Sequence, residues 1–218
     1  MRFLSGGLAL RAGFGCLIAA FVATAALAGE TPPTYGVKGG YWFPGERLFR
    51  EVLGSGPSAG AVYSLPLRPD RWIDFEILYW RGSGDLDPRV DPDGATTTAS
   101  SDVTLVPLAL SLRADSSPIR GIQPFIFGGI DLNVVKEEVA FVLREPGQSP
   151  TGGTNSISNA FLGLHVGGGA QYEVGRRTVI HLEARLSIVN ADTEGVGGVL
   201  GRGVSLGGTG IFAGLRIR

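Results

Sequence analysis

Apolar and polar residues alternate along much of this chain, and the alternation is cleanest between Leu162 and Ile188. Leu162, Leu164, Val166, Ala170, Tyr172 and Val174 take alternate positions, with Gly163, His165, Gly167, Gly169, Gln171 and Glu173 between them. After Gly175-Arg176-Arg177 the pattern resumes, with Ile180, Leu182, Ala184, Leu186 and Ile188 set against His181, Glu183, Arg185 and Ser187. Successive side chains of a strand point to opposite faces, so this stretch predicts a hairpin with one apolar and one polar face. A water-soluble sheet can share that pattern, and the rest of the chain decides which face meets which medium.

The same reading predicts eight strands, at Tyr35–Phe43, Ala59–Leu67, Arg71–Trp80, Thr104–Arg113, Gln123–Val134, Phe161–Val174, Thr178–Val189 and Val204–Ile217. Several have the ~9–11 residues that a tilted strand needs to cross a bilayer. The connections alternate in length. Arg68–Asp70, Ala114–Ile122 and Gly175–Arg177 are short, whereas Pro44–Pro57, Arg81–Val103, Val135–Ala160 and Asn190–Gly203 are long loops. Short turns at one end and long loops at the other is the layout of a transmembrane barrel, with the short turns and both termini on the periplasmic side.

The two faces sort consistently. Ile73, Phe75, Ile77, Tyr79, Val106, Leu108, Leu110, Leu112, Ile126, Ile130, Leu132, Val134, Ile211, Leu215 and Ile217 are expected to face outward. Lys38, Asp74, Glu76, Arg113, Asp131, Asn133, His165, Gln171, Glu173, His181, Glu183, Arg185 and Arg216 share the opposite face. Charge there is mixed and close to balanced. A ring of about eight strands has room for side chains and little more. Buried ions cost several kcal/mol unless they are paired, so an interlocked salt-bridge network is expected inside rather than a wide water-filled pore. Trp42, Trp72, Trp80, Tyr41, Tyr63, Tyr79 and Phe43 fall near strand ends, where an aromatic girdle is expected, but the parity of the three tryptophans turns them inward.

The first residues read as an export signal. Arg2 and Arg11 supply positive charge, Leu17–Ala28 is apolar and small, and Ala26-Leu27-Ala28 predicts cleavage before Gly29. Residues 1–28 are thus expected to be a signal peptide and 29–218 a single barrel domain. Cys16 is the only cysteine of the 218 residues, so the processed chain has none and no disulfide scaffold. Removing Arg2 and Arg11 takes the formal charge from −1 to −3, and there is no basic stripe, so nucleic acid is not an expected partner. The 35 glycines favour β structure with close backbone approach, and amphipathic helical spacing is hard to find beyond the leader.

On Tyr35-Gly36-Val37-Lys38-Gly39-Gly40-Tyr41, Pro124-Phe125-Ile126-Phe127-Gly128-Gly129, Gly163-Leu164-His165-Val166-Gly167-Gly168-Gly169, Glu183-Ala184-Arg185 and the ending Gly210–Arg218, the chain resembles the small outer-membrane β-barrel family, the OmpA/opacity-protein-like group. The resemblance spans essentially the whole processed chain. It implies an eight-stranded antiparallel up-and-down transmembrane β-barrel in the bacterial outer membrane. One departure stands out: such barrels usually end in an aromatic residue that is part of the assembly signal, whereas Arg218 stands here.

Candidate chemistry is sparse. His181 and Glu183 share a face, His165 lies on the neighbouring strand, and Ser187 or Ser205 could supply a hydroxyl. Neither histidine sits in the His-x-Ser-Asn element of lipid A deacylase barrels, and both read as members of a polar interior. Asp85, Asp87, Asp91 and Asp93 read as a solvated acidic loop rather than a calcium site, and Gly201–Gly208 lacks the lysine and helix of a phosphate loop. The sequence therefore predicts a monomeric, non-enzymatic barrel with no cofactor and no metal. Its partners are expected to be outer-membrane lipid, the periplasmic chaperones and the barrel assembly machinery, and its role structural or surface-interactive through the long loops. A narrow pore, an envelope-lipid enzyme and a soluble secreted barrel with its leucines inside are the competing readings.

Overall fold

The computed structural model describes residues 32–189 and 205–218. The signal peptide, the Asn190–Gly203 loop and the start of the last expected strand lie outside the described residues. Strands β1 (Thr34–Pro44), β2 (Gly56–Arg68), β3 (Arg71–Val90), β4 (Thr96–Asp115), β5 (Ile122–Arg144), β6 (Thr151–Val174), β7 (Thr178–Val189) and β8 (Gly208–Ile217) follow one another in chain order. Each pairs antiparallel with the next, and β8 closes on β1 from Tyr35–Ile217 to Pro44–Gly208, making a closed barrel.

The structure corrects the sequence reading at two of the expected long loops and within a third. Most of Arg81–Val103 and Val135–Ala160 is strand: the β3–β4 ladder continues to Val90–Thr96, and the β5–β6 ladder to Leu143–Thr151. Only Asp91–Ala95 and Glu145–Pro150 separate these strands. Within Pro44–Pro57 the chain makes one short helix, α1 (Arg47–Leu53), where the sequence predicts a loop. Burial accounts for it: Phe49 and Leu53 are buried, and the Phe49 ring lies 5.7 Å from that of Trp80.

The polarity of the wall reverses along its axis. From Tyr79, Val106, Val134 and Leu162 down to the short turns, the outward residues of β3, β4, β5 and β6 are uncharged and almost all apolar, with Ile77, Leu110, Ile130 and Leu164 well exposed. In β5 this run extends from Ile122 to Val134, and at ~3.3 Å per residue and ~40° tilt it climbs roughly 30 Å, the thickness of a hydrocarbon core. Immediately above, the outward positions become Arg81, Asp102, Lys136 and Ser158, while Val103, Val135 and Val139 turn inward and are buried. The upper parts of β3–β6 thus form a crown with a conventional polar exterior, standing roughly 20–25 Å above the apolar belt.

Candidate functional site

Inside the belt the polar side chains form two layers. In the upper layer Lys38 Nζ donates to Glu76 Oε2 at 2.9 Å and to Glu183 Oε1 at 2.5 Å. Arg185 donates through Nη1 to Glu76 Oε2 at 2.8 Å, through Nη2 to Asp131, and through Nε to Ser187 Oγ at 3.2 Å. Two cations are thereby laced through three carboxylates, and all five side chains are almost wholly buried. Glycines on neighbouring strands make room for bulky groups facing inward. A Cβ at Gly167 would lie 2.4 Å from the Phe127 ring, and one at Gly214 would lie 2.4 Å from that of His181.

The lower layer surrounds Arg113, whose Nε lies 3.4 Å from both Asp74 and Asp115 and whose guanidinium stands 5.0 Å from the Trp72 ring. Gln171 links the layer: its amide oxygen is 3.4 Å from Arg113 and Arg216, and its nitrogen donates to Asp115 at 3.1 Å and Gln123 at 2.9 Å. His181 is buried 3.8 Å from Glu183, beyond hydrogen-bonding reach. Glu173 departs from the expected interior. It is exposed at the short-turn mouth, paired with Arg218 at 2.8 Å, because the barrel ends there and inward parity no longer means enclosure.

His165 joins the two faces of a further cluster. Its Nδ1 is 2.9 Å from Asp131 Oδ1 and its Nε2 is 2.7 Å from Ser111 Oγ. That is the serine–histidine–aspartate order of an acyl-transfer triad. Here the serine is 1% exposed, Arg185 holds the same aspartate oxygen, and Phe127 packs against the imidazole. Neither the small cavity above the upper layer nor the recess at the short-turn end is lined by Ser111, and all three side chains are buried within the polar interior. The sequence reading weighs Ser187 and Ser205 as hydroxyl donors and misses Ser111 and Asp115. The signal is present, since both share the inward parity of Arg113.

Above the ionic layers sits an apolar plug of Trp42, Leu78, Trp80, Leu105, Val189 and Phe212, roofed by Phe49 and Leu53 of α1. All three tryptophans point inward and are buried, whereas Tyr35, Tyr41, Phe43, Tyr79 and Tyr172 are exposed on the outer wall. The enclosed space between plug and upper layer is about 20 Å³, room for about one water. A wider recess of about 410 Å³, walled by Trp72, Asp115, Gln123 and Gln171, opens only at the short-turn end. No group of residues able to hold a metal ion occurs among the described residues. In the crown, Arg81 pairs with Asp102 and holds its carboxyl below the usual carboxylate range, and Lys136 pairs with Glu138 at 2.6 Å. Asp85, Asp87 and Asp93 are exposed around the β3–β4 tip, and Asp91 lies 3.4 Å from Arg89.

No protein-family model matches the chain, and no curated protein matches it in sequence. Its backbone is similar to that of Neisserial surface protein A, at 15% identity over 85% of this chain and 95% of that one, with a TM-score of 0.53. It also aligns with a major outer membrane protein from Thermus thermophilus (14% identity, 86% and 99% covered, TM-score 0.46) and with Ail, the attachment invasion locus protein of Yersinia pestis (14%, 85% and 99%, 0.41). The closed up-and-down ring, the uncharged outer belt and the ionic interior thus belong together: the chain has the fold of the small eight-stranded outer-membrane β-barrels.

Proposed function

We propose that the protein spans the bacterial outer membrane as a sealed platform and that its crown is an extracellular interaction surface. The observation that carries this reading is the contrast between a lumen filled by plug and ion network and a crown that turns polar side chains outward above the apolar belt. β5 pairs with β6 up to Thr151, so the first half of β6 stands within the crown. The stretch from Thr151 to Ala160 is exposed at every residue but Ile157 and carries hydroxyls and amides but no charge. Such a surface offers uncharged hydrogen-bonding groups to another protein.

In this reading residues 1–28 direct export and are removed near Ala28. Periplasmic chaperones and the barrel assembly machinery then deliver a monomer to outer-membrane lipid. The plug and the two ionic layers fill the lumen, so this reading assigns it neither catalysis nor conduction. The test uses a chain whose β3–β4 and β5–β6 hairpins are trimmed to the top of the belt. Cells displaying it should adhere to matrix-protein-coated surfaces no better than cells lacking the protein, while wild-type cells adhere. Both purified proteins should shift on a gel upon boiling and leave planar bilayers non-conducting. Equal adherence of trimmed and wild-type cells, or a steady wild-type conductance, would overturn the proposal.

A further inference from the structure

Charge is unevenly spread along the barrel axis. At the short-turn end Arg68, Arg71, Arg120, Arg176, Arg177 and Arg218 all lie at the rim, and no lysine is among them. Among the described residues only two exposed carboxylates, Asp70 and Glu173, face them, and each is already held: Asp70 by Arg71 at 3.4 Å and Glu173 by Arg218 at 2.8 Å. Arg68, Arg120, Arg176 and Arg177 form no ion pair among the described residues. The upper boundary of the belt differs, because there the outward cations Arg81 and Lys136 are each matched by an acid.

The rim arginines stand where the apolar belt ends. Leu67 precedes Arg68, Val174 and Ile180 bracket Arg176 and Arg177, and Ile217 precedes Arg218. Arg120 is the most telling. Ile119 and Ile122, 66% and 49% exposed, exchange both backbone hydrogen bonds at 2.8 and 3.1 Å around a two-residue turn. Its central residues, Arg120 and Gly121, both have positive φ, 53° and 84°. Asn or Gly is the low-strain choice at the first of these positions, yet a cation with a long side chain occupies it. Arginine stems can lie along apolar surface while the heads reach the headgroup layer, where the planar fork matches two phosphate oxygens.

We propose that this arginine collar binds the phosphates of anionic glycerophospholipids in the periplasm-facing leaflet. Zwitterionic lipids carry the same phosphate beside an ammonium group that cancels its charge, so an excess of unpaired arginines selects the net-anionic headgroup. The inference rests on the membrane-spanning orientation proposed above.

The test reconstitutes the wild type and an Arg68→Gln/Arg120→Gln/Arg176→Gln/Arg177→Gln variant into phosphatidylcholine vesicles holding a trace of spin-labelled phosphatidylglycerol or spin-labelled phosphatidylcholine. The motionally restricted fraction of each label reports its relative association. The wild type should prefer phosphatidylglycerol by roughly threefold or more at low salt, and the preference should collapse toward unity at ~1 M salt, where the screening length is only ~3 Å. The variant should show little preference under either condition, whereas Arg47→Gln at the opposite end should behave as wild type. Equal association of the two lipids with the wild type overturns the collar, as does a preference that survives the four substitutions. If the variant does not fold, the salt dependence of the wild type decides alone. A shift on boiling, scored in the same samples, tells the two failures apart: a wild type that never inserts overturns the membrane reading and the collar together, whereas insertion without lipid preference overturns only the collar.

Discussion

Arg185 should be the interior residue whose loss destabilises the barrel most. Its head donates to Glu76 and Asp131, with Ser187 as a third partner, and the residue is 2% exposed. Replacement by methionine fills similar space but leaves Lys38 as the one cation among Glu76, Glu183 and Asp131. Glu76 keeps Lys38, whereas Asp131 keeps only His165. Breaking a buried pair from one side costs about 3–5 kcal/mol, because the partner left behind stays desolvated. Neutralising that partner should restore part of the loss, so Arg185→Met/Asp131→Asn is expected to be more stable than Arg185→Met alone by about 1–3 kcal/mol, the range for coupled neighbours. Urea unfolding in vesicles reads this directly, since Trp42, Trp72 and Trp80 are all interior and their emission reports opening of the lumen. A single-variant loss below ~1 kcal/mol, or a double variant no more stable than the single, would refute the claim that mutual pairing holds the interior together.

Three further outcomes follow from the same geometry. Leu182→Arg and Leu110→Arg, both on the outer belt, should each destabilise the barrel by about 2–4 kcal/mol if near mid-bilayer, whereas Ser156→Arg in the crown should be close to neutral, as vesicle unfolding midpoints will show. Phe49→Ala should lower stability by about 3 kcal/mol through loss of its packing on Trp80 yet leave bilayer conductance at baseline, because the ionic layers below remain closed; measurable current would mean that the plug alone seals the lumen. Cys16, the one cysteine of the sequence, lies in the proposed signal peptide, so in a background carrying Cys16→Ala, Gly147→Cys at the β5–β6 tip should react with an impermeant maleimide on intact cells and Gly175→Cys should react only after the outer membrane is opened, the reverse pattern disproving the orientation.

Within the belt, the arrangement could be read from residue order because each strand there separates two unlike media. The run Ile180–Ile188 against His181–Ser187 leaves one register in which leucines face lipid and ions face the lumen. In the crown that contrast weakens. Arg81–Val90 and Thr151–Ala160 are rich in Gly, Asp, Ser, Thr and Asn, which resemble loop by composition. They are strands because the ladders below continue through them, an effect of neighbours rather than of propensity. The helix α1 has seven residues and no side-chain cap at Glu46, too little for a periodic signal, and its stability comes from Phe49 and Leu53 beneath the crown. Parity alone also misplaces Glu173, since it assigns a side but says nothing of where the enclosed space ends.

The point at which the wall changes polarity sets a rule for how the exposed part can vary. Strands β3 to β6 pass from lipid to water without breaking their ladders, so the hairpins can lengthen or shorten while the spanning portion stays as it is. An even number of residues added to a strand keeps every side chain on its face, whereas an odd number needs a bulge such as the register shift between Leu86 and Arg89. Without such a bulge, a single residue added where the wall changes polarity would turn Val103, Val135 and Val139 into water and Asp102 and Lys136 inward. The height of the crown is therefore adjustable, whereas the lumen, where Lys38 and Arg185 are each held by acids of other strands, is free to change only as a whole.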